Sequence, residues 1–131
     1  MSDYKKLQVW RKAHALALNA HRVASGIRGS QYAAFKSQII RAALSIPANI
    51  VEGREQTTDA AFARYLRIAL GSASELEYHV KAAHDIKAIS TGDYTSLSNQ
   101  VVEVRMMLHG LIRSLDKGSK GAKSAVPEVQ S

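Results

Sequence analysis

Hydrophobic side chains recur along this chain at alternating steps of four and three residues, the spacing of one face of a helix in a bundle. No stretch shows the two-residue alternation that is typical of half-buried strands. With its caps and stop signals, the pattern predicts four helices: about Gln8 to Ser25, Ser30 to about Arg54, Thr58 or Asp59 to near Ala88, and Asp93 to Gly118. Short polar connections join them. We therefore expect an all-α fold, an up-down-up-down antiparallel four-helix bundle.

The apolar residues that recur along one face of a helix form its seam, and the seams of the helices should together form the core. We expect these to be buried: Val9, Ala13, Leu16, Ala20, Val23 and Ile27 in the first helix, Phe62, Leu66, Ala69, Ala73, Leu76, Val80 and Ala83 in the third, and Leu97, Val101, Val104, Leu108, Leu111 and Leu115 in the fourth. Beside its seam, the first helix carries a second, partly apolar stripe of Leu7, Trp10, His14, Leu18 and His21. Two such stripes predict two packing neighbours for this helix.

Pro47 lies inside the apolar repeat of the second helix. Proline removes a backbone donor and clashes with the preceding turn, which costs about 3 kcal/mol in a helix interior. Because the apolar stripe keeps its phase on both sides of Pro47, we predict one kinked helix rather than two. Ser45, Asn49 and Glu52 share a neighbouring stripe, from which they can hydrogen-bond to a partner helix.

Several separated blocks of the sequence resemble, in the same order, those of a known family. They cover residues 7–14, 42–53, 62–72 with 75–77, and 107–112. The chain resembles the four-helix-bundle proteins encoded in intervening sequences of bacterial large-subunit ribosomal RNA genes, and distantly the accessory variability proteins of diversity-generating retroelements. The likeness extends over nearly all of the chain up to Asp116 and implies the same fold. We assign a structural role in this motif to Trp10, Ser45, Pro47, Asn49, Glu52, Gly53, Gly71 and Glu75.

The resemblance also implies partners. Relatives are known as ring-like homopentamers whose basic surfaces engage nucleic acid and a reverse transcriptase, so we expect a homo-oligomer, a pentamer by resemblance. The chain departs from the family at Ile40, where relatives often carry the first of two arginines. If that arginine serves polyanion binding in relatives, this chain has lost part of it. The loop between the first two helices also lacks the Phe-Pro that is typical of the family.

Length and composition fit one globular domain. The 131 residues suffice for a single core, and we assign residues 1–116 to the bundle and 117–131 to a flexible basic tail. The lack of cysteine excludes disulfides and thiolate zinc sites. No apolar run approaches the roughly 20 residues that cross a bilayer, and no signal-peptide pattern opens the sequence. We therefore expect a cytoplasmic protein without membrane contact.

The polar residues do not suggest a catalytic or metal site. His14 and His21 lie seven residues apart, too far along one helix to share an ion. Glu52 and Glu75 could face each other as carboxylates do in di-iron bundles, but neither stands in the Glu-x-x-His motif of those proteins. Loop midpoints predict instead these ion pairs: Glu52 with Arg64, Arg41 with Glu75, and Glu77 with Arg105. We expect no catalytic residue, no metal and no cofactor.

Basic residues are the strongest functional signal. The net charge of +7 favours polyanionic partners. The candidate nucleic-acid-binding residues are Arg41, Arg64, Arg67, Lys81, Lys12 and Arg11. The outward stripe of the third helix carries Arg64, Arg67 and Lys81 together with Gly71, Ser74 and Tyr78. A phosphate backbone, a stacked base or another copy of the protein could approach this stripe. An ordinary solvated surface is the competing interpretation.

Two function classes follow from the sequence. The first is a non-catalytic homo-oligomeric scaffold that binds RNA or DNA through its basic surface. The second is a protein–protein adaptor, for example for a reverse transcriptase or a ribosome-associated factor, whose charge complements an acidic partner without touching nucleic acid. An enzyme ranks last, because no combination of acid, base and nucleophile can be assembled.

Overall fold

The chain forms four α-helices. The structure, a computed structural model, describes Tyr4 and residues 7–125, with side chains as far as Gly118. The helices are α1 (Gln8–Ser25), α2 (Ala33–Arg54), α3 (Asp59–Asp85) and α4 (Thr91–Ala125), and a 3₁₀ turn (Ser30–Tyr32) precedes α2. No strand occurs in this part of the chain, so the predicted all-α class is confirmed.

The helices are arranged as a closed square. α1 packs on α2, α2 on α3, α3 on α4, and α4 returns to α1 in the least extensive of the four contacts. Among the described residues, α1 does not touch α3 and α2 does not touch α4, so each of these pairs lies across a diagonal. This is the predicted up-down-up-down bundle. None of the described helices combines the length and apolarity that crossing a membrane requires.

The core follows the predicted seams closely. Every seam residue predicted for the first and third helices is buried. In α4 the seam is buried through Leu108, but Leu111 and Leu115 are only half-buried, and Ile112 takes the core position instead. The shift reflects a helix of 3.6 residues per turn, whose inward face drifts away from a strict seven-residue repeat.

The end of α3 differs from the prediction. The helix ends at Asp85 rather than near Ala88, because Lys87 adopts a left-handed conformation with φ of 64°. The amide of Lys87 donates to the carbonyl of His84 (2.9 Å), and the amide of Ala88 donates to that of Ala83 (2.8 Å). These bonds satisfy carbonyls that the helix end would otherwise leave unpaired.

Both ends of α4 also differ. Ser90 rather than Asp93 caps the helix, since its hydroxyl accepts a hydrogen bond from the amide of Asp93 at 3.0 Å. At the other end, α4 passes Gly118 and continues to Ala125. Glycine costs about 1 kcal/mol in a helix but does not stop it, and no proline follows before Pro127. The predicted helix end at Gly118 is therefore wrong, while residues 126–131 of the predicted tail lie outside the described residues.

α2 runs without a break through Pro47, which is buried. Beside the proline, the Asn49 amide donates to the carbonyl oxygen of Ser45 (2.8 Å) and to its hydroxyl (3.1 Å). The Ser45 hydroxyl also lies 2.7 Å from that of Ser72 on α3. The predicted hydrogen-bonding stripe therefore joins α2 to α3 through Ser45, whereas Glu52 is exposed and takes no part in it.

Gly53 sets how closely α2 approaches α3. It is buried, and a Cβ atom added there would lie 2.9 Å from both Cδ1 of Phe62 and Cβ of Tyr65. The first neighbour is a buried ring, and the second is fixed to the α3 backbone. A side chain at this position therefore requires the two helices to move apart.

Candidate nucleic-acid interface

The outward stripe of α3 carries three of the six candidate cations. Arg64, Arg67 and Lys81 are all exposed, as are Gly71, Ser74 and Tyr78 between them. The seam residues on the opposite side of the same helix are buried. The stripe predicted from spacing therefore faces away from the bundle, and we call these six residues the α3 outward stripe.

Arg64 is the member of this stripe that has no acidic partner among the described residues. Its guanidinium carbon lies 5.2 Å from the centre of the Tyr65 ring, within the range of a cation–π contact. This contact orients the planar group while leaving its N–H donors in solvent. The predicted ion pair with Glu52 is not formed.

The other two cations of the stripe each meet a carboxylate. Arg67 pairs with Asp116 of α4, and the Lys81 ammonium lies 3.1 Å from the Asp85 carboxylate. The hydrogen bond to Asp85, followed by its charge, raises the pKa of Lys81 above its usual value, so the side chain stays cationic at neutral pH. Both pairs are exposed, and exposed pairs contribute only about 0–1 kcal/mol. A phosphate can therefore replace either carboxylate at little cost.

Arg41 lies exposed on α2. It donates to the hydroxyl of Ser37 at 3.4 Å and does not pair with Glu75, whose carboxylate lies 3.8 Å from Nε2 of His79. The predicted Arg41–Glu75 pair is therefore wrong. Both side chains are exposed, where water solvates them well, and each has a nearer polar neighbour on its own helix.

The third predicted ion pair is present. Arg105 of α4 bonds to the carboxylate of Glu77 on α3, and both side chains are partly buried. The loop lengths therefore predicted the register between α3 and α4 correctly. Two further pairs join α4 to α1, with Lys12 Nζ at 3.3 Å from Glu103 and Arg22 at 3.1 Å from Asp93.

Lys12 and Arg11 lie away from the three candidate cations of the α3 outward stripe. Both are on α1, which is diagonal to α3. Lys12 faces α4 and pairs with Glu103, and Arg11 is also exposed on α1. In one copy of the chain the six candidate residues therefore do not form one patch, although the stripe on α3 does bring three together.

An apolar face accompanies the contact between α1 and α2. The rings of Trp10 and His14 stack with centroids 4.9 Å apart, and Tyr4 meets Trp10 edge-on at 5.1 Å. Leu18 on α1 is 58% exposed and Leu44 on α2 is 50% exposed. We call Trp10, His14, Leu18 and Leu44 the α1–α2 apolar face. It contains much of the predicted second stripe of α1.

Sequence reasoning missed a groove between α3 and α4. It is lined by Ser74, Glu77, Tyr78, Lys81, Tyr94 and Ser98 and has a volume of about 430 Å³. Tyr94 is held there by stacking on His84, with ring centroids 4.4 Å apart. The available signal was the spacing of Tyr94, Ser98 and Arg105, which places polar side chains along the edge of the α4 seam.

The described residues contain no group of three or more histidine, aspartate or glutamate side chains placed to hold a metal ion. His14, which the sequence raised as a ligand candidate, instead stacks on Trp10. Of the acids considered for a paired site, Glu52 is exposed, and Glu75 lies beside His79. The arrangement offers cations, hydroxyls and aromatic rings, which are able to bind a phosphate or a planar group.

Comparison with known proteins agrees with this fold. The family model described as "23S rRNA-intervening sequence protein" matches residues 5–110. A crystal structure of a protein with unknown function from the S23 ribosomal protein family of Bacteroides thetaiotaomicron is similar, with a TM-score of 0.75 and 28% sequence identity. The alignment covers 79% of this chain and 97% of that one. Among curated proteins, none matches this chain.

Proposed function

Because the chain belongs to the 23S rRNA-intervening sequence protein family, we propose that it is a non-catalytic, homo-oligomeric scaffold that binds RNA or DNA through a basic surface. The family is described by the intervening sequences of 23S ribosomal RNA, and this description supports RNA as a partner. We place the protein in the cytoplasm, where such a partner is present.

The observation that carries the proposal is the α3 outward stripe. Arg64, Arg67 and Lys81 project from one face of one helix, and the small residue Gly71 between them leaves open space above the backbone. A phosphate backbone needs several cations along a line, at a surface that it can approach closely. Arginine is suited to this role, because its planar group can donate two parallel hydrogen bonds to one phosphate.

Oligomerisation is supported by the α1–α2 apolar face. Leu18 on α1 and Leu44 on α2 expose half or more of their surface to water, and Trp10 on α1 is half-buried. Large exposed apolar side chains are typical of protein contact sites. Each added copy also contributes another α3 outward stripe, so that several weak phosphate contacts act together on one nucleic acid.

A charge-matched comparison tests the nucleic-acid part of the proposal. The test variant replaces Arg64, Arg67 and Lys81 with glutamine, and the control replaces Arg28, Lys36 and Lys87, three cations elsewhere on the surface. Both variants lose the same net charge. We expect the test variant to bind a single-stranded RNA at least about tenfold more weakly than the control, equivalent to about 1.4 kcal/mol. Equal losses in both variants would mean that the stripe has no special role.

The adaptor alternative rests on another observation. Val102 and Met106 of α4 are 42% and 68% exposed and lie one helical turn apart, which suits a protein partner. Capture experiments with and without nuclease separate the two functions. Partners of a nucleic-acid-binding scaffold are lost after nuclease treatment. A partner that survives nuclease and is lost in Met106→Glu favours the adaptor.

A further inference from the structure

Tyr78 stands at the boundary of two hollows on the protein surface. On one side is the α3–α4 groove described above. On the other is a smaller, apolar hollow of about 250 Å³ between α2 and α3, lined by Ala34, Phe35, Gln38, Tyr78, His79 and Ala82. Tyr78 is 68% exposed, although tyrosine usually buries its apolar ring. Its ring is tilted by 60° against that of His79, with the centroids 5.9 Å apart, and its exposed part is open to a planar partner.

The α3–α4 groove holds hydrogen-bonding groups that are not used within the protein. The hydroxyls of Ser74 and Ser98 line it, and neither has a hydrogen-bond partner among the described residues. The charged and aromatic walls are fixed: Glu77 bonds to Arg105, and Tyr94 stacks on His84. A ligand therefore meets prearranged walls and two free hydroxyls.

Lys81 places a cation beside the same ring. It lines the groove with Tyr78, and its pair with Asp85 is exposed and exchangeable. An aromatic ring, hydroxyl groups and a mobile ammonium match the three parts of a nucleotide: the base stacks, its edge or sugar forms hydrogen bonds, and the phosphate is neutralised.

We propose that the α3–α4 groove binds an unpaired nucleotide, with its base stacked on Tyr78 and its phosphate at Lys81. The inference rests on the proposed function and narrows it to single-stranded nucleic acid. In a duplex both faces of an interior base are already stacked, so Tyr78 could not reach them. Arg64 and Arg67, farther along α3, then contact the phosphates of the same strand.

Binding of short oligonucleotides to the full chain tests the groove. The probes are an eight-nucleotide uridine RNA, its DNA counterpart, and an RNA duplex of the same length. We expect the single strands to bind more tightly than the duplex, with Tyr78→Leu about tenfold weaker, which lies within the range for one stacked base. Tyr78→Phe keeps the ring and should bind with the affinity of the original protein. Lys81→Gln should lower the affinity and make it less dependent on salt concentration.

Met106→Leu is the matched control, because Met106 is also 68% exposed but lies on α4 outside the groove lining. It should bind normally. If Tyr78→Leu binds the single strand as well as this control does, the groove is not the nucleotide-binding site. Binding of nucleic acid through Arg64 and Arg67 would remain consistent with that result. If neither strand nor duplex binds at all, the proposed function fails as well. If Tyr78→Phe loses as much affinity for the single strand as Tyr78→Leu does, stacking on the ring is contradicted. A partner protein that binds at Tyr78 in the absence of nucleic acid would instead assign the groove to protein binding.

Discussion

Two glycines on neighbouring helices show how differently one residue type serves this fold. Gly53 is buried where α2 meets α3, and a Cβ there would lie 2.9 Å from Tyr65 Cβ. At Gly71, on the exposed side of α3, an added Cβ would meet nothing within 4 Å. The first glycine is required by packing. The second only lowers the intrinsic stability of its helix.

Alanine at these positions should therefore have opposite effects. We expect Gly53→Ala to reduce the free energy of unfolding by about 1–3 kcal/mol, the usual cost of overpacking. Gly71→Ala should raise it by about 0.5–1 kcal/mol, since alanine is the better helix former. Urea unfolding followed by circular dichroism measures both. Destabilisation in both variants would indicate that Gly71 is also covered, for example by another copy of the protein.

The residues that sequence analysis placed correctly are those controlled by helical periodicity. The burial of Leu66 and Leu76 and the pairing of Glu77 with Arg105 both follow from spacing and loop length. The ion-pair predictions that failed concern exposed side chains. Arg41 and Glu75 each have several solvated conformations of similar energy, so sequence spacing cannot decide which partner they choose.

Among the elements, α4 shows that a helix begins where its amides find an acceptor. Both Ser90 and Asp93 are good cap residues in sequence, and they lie three positions apart. Ser90 is the cap because its hydroxyl reaches the amide of Asp93. Asp93 then lies in the first helical turn, where the positive end of the helix dipole stabilises its negative charge. Its carboxylate also pairs with Arg22.

This cap assignment gives a test of its own. Ser90→Ala should lower the free energy of unfolding by about 1 kcal/mol at any salt concentration, since it removes a neutral cap. Asp93→Asn should cost less, and its effect should shrink as salt rises, because only exposed charges are lost. Thermal unfolding at low and high salt distinguishes the two. A free energy of unfolding that Ser90→Ala leaves unchanged would contradict the assignment of Ser90 as the cap.

At the scale of the whole molecule, the bundle exposes its apolar and basic features on different helices. The α1–α2 apolar face lies on one part of the square, and the α3 outward stripe lies on the helix diagonal to α1. A contact through the apolar face therefore leaves the stripe accessible. The groove at Tyr78 was not predicted, because the spacing of the polar residues on α4 indicates a groove only once the edges of α3 and α4 are known to come together.

Charge on the α1–α2 apolar face should dissociate the proposed homo-oligomer. We expect Leu18→Glu and Leu44→Glu to shift the protein toward the monomer, measured by light scattering after gel filtration, since a buried carboxylate without a partner costs several kcal/mol. Met106→Glu introduces the same charge on α4 and should leave the assembly unchanged. Dissociation by Met106→Glu alone would place the contact on α4 instead.

The salt dependence of RNA binding tests the central claim most directly. For a single strand, the logarithm of the affinity should fall linearly with the logarithm of salt concentration, with a slope of about −0.7 for each phosphate neutralised. We expect replacing Arg64, Arg67 and Lys81 with glutamine to make this slope shallower by about 2. Replacing Arg28, Lys36 and Lys87 should leave it nearly unchanged. An affinity that does not respond to salt, or a slope that the α3 variant leaves intact, would contradict the account.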